Sequence, residues 1–147
     1  MSTTAGYRLL MFFTRNPELS PSEFRSYYEA NHAPLIMELA NSAPGLLRYT
    51  RRYIDHESSL ESTGNPFVMF DAGVPPFDFD VVSDVVFEGR QQAETFARTM
   101  YNLEDSVKEK ILKDENKLFV RSKMRGMVVK EEIITERSTS LLDITVA

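Results

Sequence analysis

A capped amphipathic stretch at residues 20–39, SPSEFRSYYEANHAPLIMEL, restricts the possible folds more than any other part of the sequence. Ser20 suits the N-cap of a helix, and Pro21 suits the first helical position because its missing amide donor is not needed there. Glu23 stands three residues after Ser20 and completes a capping box. The pattern predicts a helix from Ser20 to Leu39.

One face of this predicted helix is apolar but includes one of the two histidines of the chain. Helical spacing places five residues on that face: Phe24, Tyr28, His32, Leu35 and Leu39. Pro34 removes an amide donor and disfavours the helical conformation at Ala33, so we expect the helix to be kinked or broken just past His32. Unpaired backbone groups beside an imidazole favour a functional site, whereas the plainer alternative is a hydrogen-bonded core histidine.

The rest of the chain alternates between strand and helix patterns. The apolar run YRLLMFF predicts a buried strand at residues 7–13, before the helix. The remaining predicted elements are a strand at 46–54, a strand at 79–87, helices at 89–102 and 103–118, and a strand at 123–134. This order predicts an α+β fold of the ferredoxin-like type, in which a four-stranded antiparallel sheet carries helices on one face.

The predicted sheet has a second face that helices do not cover. Alternation in the strand at 46–54 places four residues on one side: Leu47, Tyr49, Arg51 and Tyr53. Neither side of this strand is purely apolar, which indicates an edge, a lined cavity or an interface. Pairing two sheets into a closed barrel covers the second face, and we therefore expect a homodimer.

The composition limits the number of domains, the classes of binding partner and the cellular compartment that we expect. With 147 residues and 42% hydrophobic residues, the chain suits a single domain over residues 1–147. A net charge of −5 without a long basic run argues against nucleic acid as a partner. No apolar stretch is long enough to span a bilayer, and the N-terminus lacks the pattern of a signal peptide, so we expect a cytoplasmic protein without a membrane partner.

A long segment without clear periodicity, residues 56–78, separates the second and third predicted strands. The segment is polar at its start and rich in aromatic residues towards its end. Its large apolar residues include Phe67, Met69, Phe70 and Phe77, and Phe79 stands just after it. Such segments are commonly functional, so we expect a lid over a ligand or a partner subunit. The alternative is a surface loop whose aromatic residues complete the core. The tail at residues 135–147 is expected either to fray or to dock on the partner subunit.

An acidic residue interrupts the third predicted strand. Asp84 stands in the apolar run at residues 79–87, where a carboxylate is costly to bury unless it is paired or hydrogen-bonded. Two roles are open for Asp84: a catalytic acid, or an ion-pair partner of Arg51 or Arg52 across the sheet.

Several stretches of the sequence form a pattern known from one family. They are LSPSEFRSYY at 19–28, NHAPL at 31–35, Pro44-Gly45-Leu46 followed by Tyr49, the strand at 80–87, and Asp114-Glu115 leading to Phe119 and the stretch at 121–124. With these stretches the chain resembles the EthD-like members of the dimeric α+β barrel superfamily, and the resemblance implies a dimeric α+β barrel. The match to DEN-x-x-F-x-R-S is similar to the fungal branch, whose members act on aromatic polyketides as cofactor-free decarboxylases or dehydratases. The resemblance implies a catalytic role for His32 and an acid at the position of Asp84.

The residue types leave general acid–base catalysis in an apolar pocket as the chemistry of the site. The absence of cysteine, of a clustered ligand pattern and of phosphate or dinucleotide loops predicts no metal and no cofactor. We predict His32 and Asp84 as the catalytic residues. The predicted substrate-binding residues are Tyr28, Phe24, Tyr49, Arg51, Met69, Phe70 and Phe79.

Together, the residues and the resemblance predict a cofactor-independent lyase, a decarboxylase or a dehydratase, that acts on an aromatic polyketide in secondary-metabolite biosynthesis. His32 would be its general acid or base, and flat substrate rings would pack on Phe, Met and Tyr side chains. Two alternatives remain open. One is a cofactor-free monooxygenase that ionises an anthrone for reaction with oxygen, and the other is a non-catalytic polyketide-binding accessory protein.

Overall fold

A computed structural model describes residues 2–3, 6–56 and 78–137 of the chain. Most of the predicted lid segment and of the tail lies outside the described residues, as do Met69 and Phe70, two of the predicted substrate contacts.

The described residues form six strands and four helices, with two further helical turns. The strands are β1 (Ser2–Thr3), β2 (Tyr7–Phe13), β3 (Leu46–Tyr53), β4 (Val81–Phe87), β5 (Arg125–Val129) and β6 (Ile133–Ile134). The helices are α1 (Pro21–Tyr27), α2 (Ala33–Ala40), α3 (Arg90–Tyr101) and α4 (Asp105–Leu118). A π-helical turn (Tyr28–His32) joins α1 to α2, and a 3₁₀ turn (Arg121–Lys123) precedes β5.

Four of the strands form one antiparallel sheet in the order β3-β4-β2-β5. The prediction of a ferredoxin-like, four-stranded antiparallel sheet with helices is confirmed. A second sheet of two very short strands, β1 and β6, was not predicted, because two-residue strands are too short to show a periodicity.

The two faces of the sheet have different surroundings, because side chains alternate along each strand. On one face, Phe13 and Val81 pack with helix residues in a core that comprises Phe13, Phe24, Tyr28, Ala33, Val81, Leu118 and Phe119. On the other face, which we call the open face, β2 and β4 place Leu10 opposite Asp84 and Phe12 opposite Val82. The helices α1 to α4 therefore reach the sheet from the side of the core.

The predicted cap is present on the helix that begins at Pro21, but the predicted break past His32 is not. The side chain of Ser20 accepts from the Glu23 amide, and the Glu23 carboxylate accepts from the Ser20 amide. Of the two alternatives expected past His32, a kinked or a broken helix, the break is wrong, since Ala33 keeps helical dihedrals with φ −61° and ψ −44°. The chain instead widens by one residue into a π-turn, in which the Ala33 amide donates to the Tyr28 carbonyl. The helix thus continues past Pro34, which lies in the first turn of α2.

No helix in the described part of the chain is both long and apolar enough to cross a membrane.

Candidate functional site

His32 ends the π-turn and lies buried between the helices and the sheet. Only 5% of the residue is exposed. Its ring meets the ring of Tyr28 edge-on at 5.2 Å and the ring of Phe119 at 5.7 Å, measured between centroids. π-Turns inserted into α-helices are frequent at functional sites because they displace the side chains that follow. The predicted apolar setting of the imidazole is therefore present.

The acidic group nearest to His32 comes from α4. Nδ1 of His32 lies 3.9 Å from Oδ2 of Asp114, and both side chains are at most one tenth exposed. The other oxygen of Asp114 accepts a hydrogen bond of 2.8 Å from the Tyr27 hydroxyl. Among the described residues, Nδ1 of His32 has no hydrogen-bond partner. The carboxylate is thus anchored at one oxygen and faces the imidazole with the other.

Burial decides the protonation of His32. It lowers the pKa of the imidazole below its usual range, and the negative charge of Asp114 offsets part of this effect. His32 is therefore neutral at neutral pH, and a neutral imidazole can accept a proton.

Three hydroxyls lie between the π-turn and the sheet, two on buried residues and one on the partly buried Tyr49. The Tyr28 hydroxyl is 2.7 Å from that of Tyr49 and 2.9 Å from that of Ser83. Burial raises the pKa of both tyrosines, so these phenols stay protonated at neutral pH and act as hydrogen-bond donors. The cluster can donate to a carbonyl or an oxyanion but cannot serve as a base.

Beyond this cluster, a charged pair links the π-turn to β3. Arg51 donates to both carboxylate oxygens of Glu29, with a distance of 3.0 Å from Nε, and Tyr53 donates to Glu29 at 2.6 Å. The hydrogen bond from Arg51 is the main reason that the pKa of Glu29 is lowered. The guanidinium also stacks on the ring of Tyr49 at 4.7 Å. The Arg51 guanidinium thus forms an ion pair with the Glu29 carboxylate.

Asp84 does not lie beside His32, although the two were predicted to act together. Ser83 bonds to Tyr28 on the core face, so its neighbour Asp84 projects from the open face. There Asp84 lies 3.1 Å from Nε of Arg8 and 3.3 Å from Nη1 of Arg52. The sheet separates the two residues predicted to act together, and the ion pair with Arg52 matches the structural alternative for Asp84.

The predicted substrate contacts are divided in the same way. Tyr28, Tyr49 and Arg51 lie on the side of the sheet that holds His32. Phe24 is 1% exposed and is part of the core. Phe79 packs edge-on against Phe12, whose register with Val82 places it on the open face.

Sequence reasoning missed four residues around the imidazole: Tyr27, Glu29, Ser83 and Asp114. A signal existed for Asp114. It stands three residues after Ile111 and four before Leu118, both of which belong to the apolar stripe of its helix. An acid on an apolar stripe needs a buried partner for the same reason as Asp84 does, because an unpaired carboxylate is costly to bury.

No group of three or more His, Cys, Asp or Glu residues suited to a metal ion occurs within residues 6–56 and 78–137.

Among curated proteins, none matches this chain significantly. An EthD-family protein from Bacillus halodurans has a similar fold, with 20% identity, a TM-score of 0.50, and coverage of 86% of this chain and 99% of the other. SnoaB, a cofactor-independent oxygenase from Streptomyces nogalater, aligns with 15% identity and a TM-score of 0.48 over 92% of this chain and 97% of its own. A dimeric ferredoxin-like protein from an uncultured marine organism aligns with 17% identity and a TM-score of 0.49, covering 90% and 95%.

The sequence model of the EthD domain matches residues 16–122, which include the capped helix, the π-turn with His32, the strands β3 and β4, and α4 with Asp114. Since the match spans more than two thirds of the chain, this protein belongs to the EthD family.

Proposed function

We propose that this protein is a cofactor-independent lyase in which His32 transfers a proton on a small hydroxylated aromatic molecule. One observation carries the proposal: a buried, neutral imidazole faces the Asp114 carboxylate at 3.9 Å without a hydrogen-bond partner at Nδ1 among the described residues. A histidine kept only for packing would have its buried nitrogen hydrogen-bonded. An imidazole beside an acid in an apolar site is suited to general acid–base catalysis.

The neutral imidazole favours the role of base. In a dehydration, His32 takes a proton from the carbon next to a substrate carbonyl, and a carbon–carbon double bond forms as the bond to the β-hydroxyl breaks. The imidazolium returns its proton to the hydroxyl, which leaves as water, and His32 is neutral again. In a decarboxylation, the carbon–carbon bond breaks, carbon dioxide leaves, and the remaining carbanion takes a proton from the imidazolium. The lowered pKa of His32 keeps the imidazolium scarce at neutral pH, so dehydration is the first choice.

The buried hydroxyls and Arg51 supply the binding groups. The Tyr28–Tyr49–Ser83 cluster donates to the carbonyl whose charge develops as the proton leaves. Arg51 can exchange the Glu29 carboxylate for a substrate carboxylate, because its guanidinium already forms the forked arrangement. The likeness of the DEN-x-x-F-x-R-S stretch at 114–122 to the fungal branch supports an aromatic polyketide as the substrate class. Since His32 is 5% exposed, substrate contact requires movement of the side chains packed against it.

The same base supports a second reaction. A neutral imidazole can ionise an anthrone, and the electron-rich anion then reacts with oxygen without a cofactor. This route differs from the lyase reactions by consuming oxygen.

We also propose that two copies pair through the open face. Leu10, Phe12 and Val82 are only partly exposed there, and Met127 is 54% exposed. A second sheet placed on this face would remove these apolar groups from water and leave the His32 site on the far side of each sheet.

The test is turnover with purified protein. Anthrone-type carboxylic acids and β-hydroxy ketone polyketides are incubated with the wild type, His32→Gln and His56→Gln, and products are followed by mass for loss of water or carbon dioxide and by an oxygen electrode. His56 is the matched control, since it is the other histidine and bonds to the Phe79 backbone. Turnover by the wild type and His56→Gln but not by His32→Gln supports the proposal. Full activity of His32→Gln refutes it.

A further inference from the structure

We propose that Tyr27 and Asp114 are positioning residues that select the tautomer of His32, so that Nδ1 carries the proton and Nε2 presents the lone pair. The inference rests on the proposed function, because it specifies which nitrogen takes the substrate proton. The chain of contacts runs from the Tyr27 hydroxyl through the two oxygens of Asp114 to the imidazole.

Electrostatics select the tautomer. The atom of His32 that faces Oδ2 of Asp114 is Nδ1, at 3.9 Å. A lone pair on Nδ1 would point at a carboxylate oxygen and be repelled, whereas an N–H there is attracted. The surroundings are apolar, with Tyr28 and Phe119 against the ring, so water does not screen this difference. Catalytic hydrogen bonds are often long before substrate binds and tighten in the complex.

Tyr27 prevents Asp114 from turning away. Its hydroxyl donates to Oδ1 at 2.8 Å, which fixes the plane of the carboxylate and leaves Oδ2 towards the imidazole. Burial and the hydrogen bond to Asp114 raise the pKa of the Tyr27 phenol, so it remains a donor at neutral pH. The Lys117 ammonium lies over the phenol ring, with Nζ 4.1 Å from the ring centroid, and this contact stabilises the ring.

The π-turn brings the two side chains to the same carboxylate. In a regular α-helix, residues 27 and 32 are rotated by about 140° from each other and face different directions. A π-turn takes more residues per turn, so this angle becomes smaller, and the Ala33–Tyr28 hydrogen bond marks the wider turn. Tyr27 and His32 therefore both reach Asp114, which comes from a helix elsewhere in the chain.

When His32 takes a proton on Nε2, the positive charge is shared with Nδ1–H. The anchored carboxylate then stabilises the imidazolium, and no proton has to pass to Asp114. Each ring nitrogen therefore has one role: Nε2 accepts the proton, and Nδ1–H faces the Asp114 carboxylate.

The experiment is nitrogen-15 NMR of the labelled full-length protein, in which the two histidines are distinguished with His56→Gln. The wild type is expected to show a protonated Nδ1 and an unprotonated Nε2 on His32 at neutral pH. In Asp114→Asn, Tyr27 donates to the amide oxygen and the amide NH₂ faces Nδ1, so the tautomer is expected to invert. Tyr27→Phe keeps the carboxylate without its anchor and is expected to give a mixture.

The matched control is Tyr101→Phe, since the Tyr101 side chain is 82% exposed and its loss leaves the tautomer unchanged. Protonation of Nε2 in the wild type, or an unchanged tautomer in Asp114→Asn, would overturn the inference. If Asp114→Asn does not fold, the wild type and Tyr27→Phe still decide it, since an unchanged tautomer in Tyr27→Phe removes Tyr27 from the scheme.

Activity separates this inference from the proposed function. With a confirmed substrate, Asp114→Asn should lower kcat at least about a hundredfold with little change in KM, as expected for a histidine held in the wrong tautomer. Loss of turnover in His32→Gln with an unchanged tautomer in Asp114→Asn would keep the function and reject the inference. If the tautomers are as expected but no substrate is turned over, the inference about Tyr27 and Asp114 stands and the proposed function is rejected.

Discussion

The Tyr28 hydroxyl lies 2.9 Å from the Ser83 hydroxyl, and this contact ties the π-turn to the centre of the sheet. Tyr28 is fully buried and Ser83 is 2% exposed. Because Tyr28 also bonds to the partly buried Tyr49, its hydroxyl is the hydrogen-bond partner of two other hydroxyls at once. The position of His32, four residues further along the helix, depends on this anchor.

Tyr28→Phe should therefore destabilise the protein. Removal of the hydroxyl leaves the hydroxyls of Ser83 and Tyr49 without their shared partner, which costs about 1–3 kcal/mol in the free energy of unfolding. Urea unfolding followed by circular dichroism measures the change, with Tyr101→Phe as the exposed control. Equal stabilities of the two variants would contradict the importance of the cluster.

The stability of the protein should depend on His32 at acidic pH. Burial lowers its pKa in the folded chain below the value of about 6.5 in the unfolded chain. Between these two values the unfolded chain binds more protons than the folded chain, so the free energy of unfolding falls as the pH drops through that window. The contribution is fully present above the unfolded pKa, and its slope is at most about 1.4 kcal/mol per pH unit.

Urea unfolding of the wild type and His32→Gln at several pH values between about 5 and 8 isolates this contribution. The difference between the two proteins should change below about pH 6.5 and be constant above it. A constant difference over the whole range would show that His32 titrates normally.

Asp84 should prove structural. Asp84→Asn weakens the pairing with Arg8, which is 9% exposed, and is expected to lower the free energy of unfolding by about 1–3 kcal/mol. Arg52→Gln removes the partner whose side chain is 57% exposed and should cost less than about 1 kcal/mol. Turnover should persist in both variants, because the sheet lies between Asp84 and His32. A loss of kcat in folded Asp84→Asn would restore it as a catalytic candidate.

Two adjacent arginines allow a matched test of substrate binding. Arg51 lies on the core side with Glu29, and Arg52 lies on the open face with Asp84. For a carboxylated substrate, Arg51→Gln should raise KM about ten- to a hundredfold, which corresponds to a charged hydrogen bond. Arg52→Gln should leave KM unchanged. Steady-state kinetics measures both, and equal effects would mean that Arg51 does not bind the carboxylate.

Much of the fold could be predicted because its signals are local. The cap at Ser20 and the strand at 7–13 depend on residues a few positions apart, and both are present. The outcome at Pro34 could not be predicted from the rule for residues before proline. That rule makes helical dihedrals at Ala33 less favourable without forbidding them, and the wider π-turn accommodates the missing donor.

The sequence by itself determined that a capped helix carries His32 on its buried face, because spacing along a helix sets which residues share a side. It also placed Arg51 and Arg52 on opposite sides of one strand. Only the tertiary structure decided which acid faces the imidazole. Tyr27 and Asp114 are 87 residues apart in sequence, and their contact exists because α4 packs against the π-turn. Asp84 lies on β4 next to Ser83, which contacts the π-turn, but the alternation of that strand turns the Asp84 side chain to the other face.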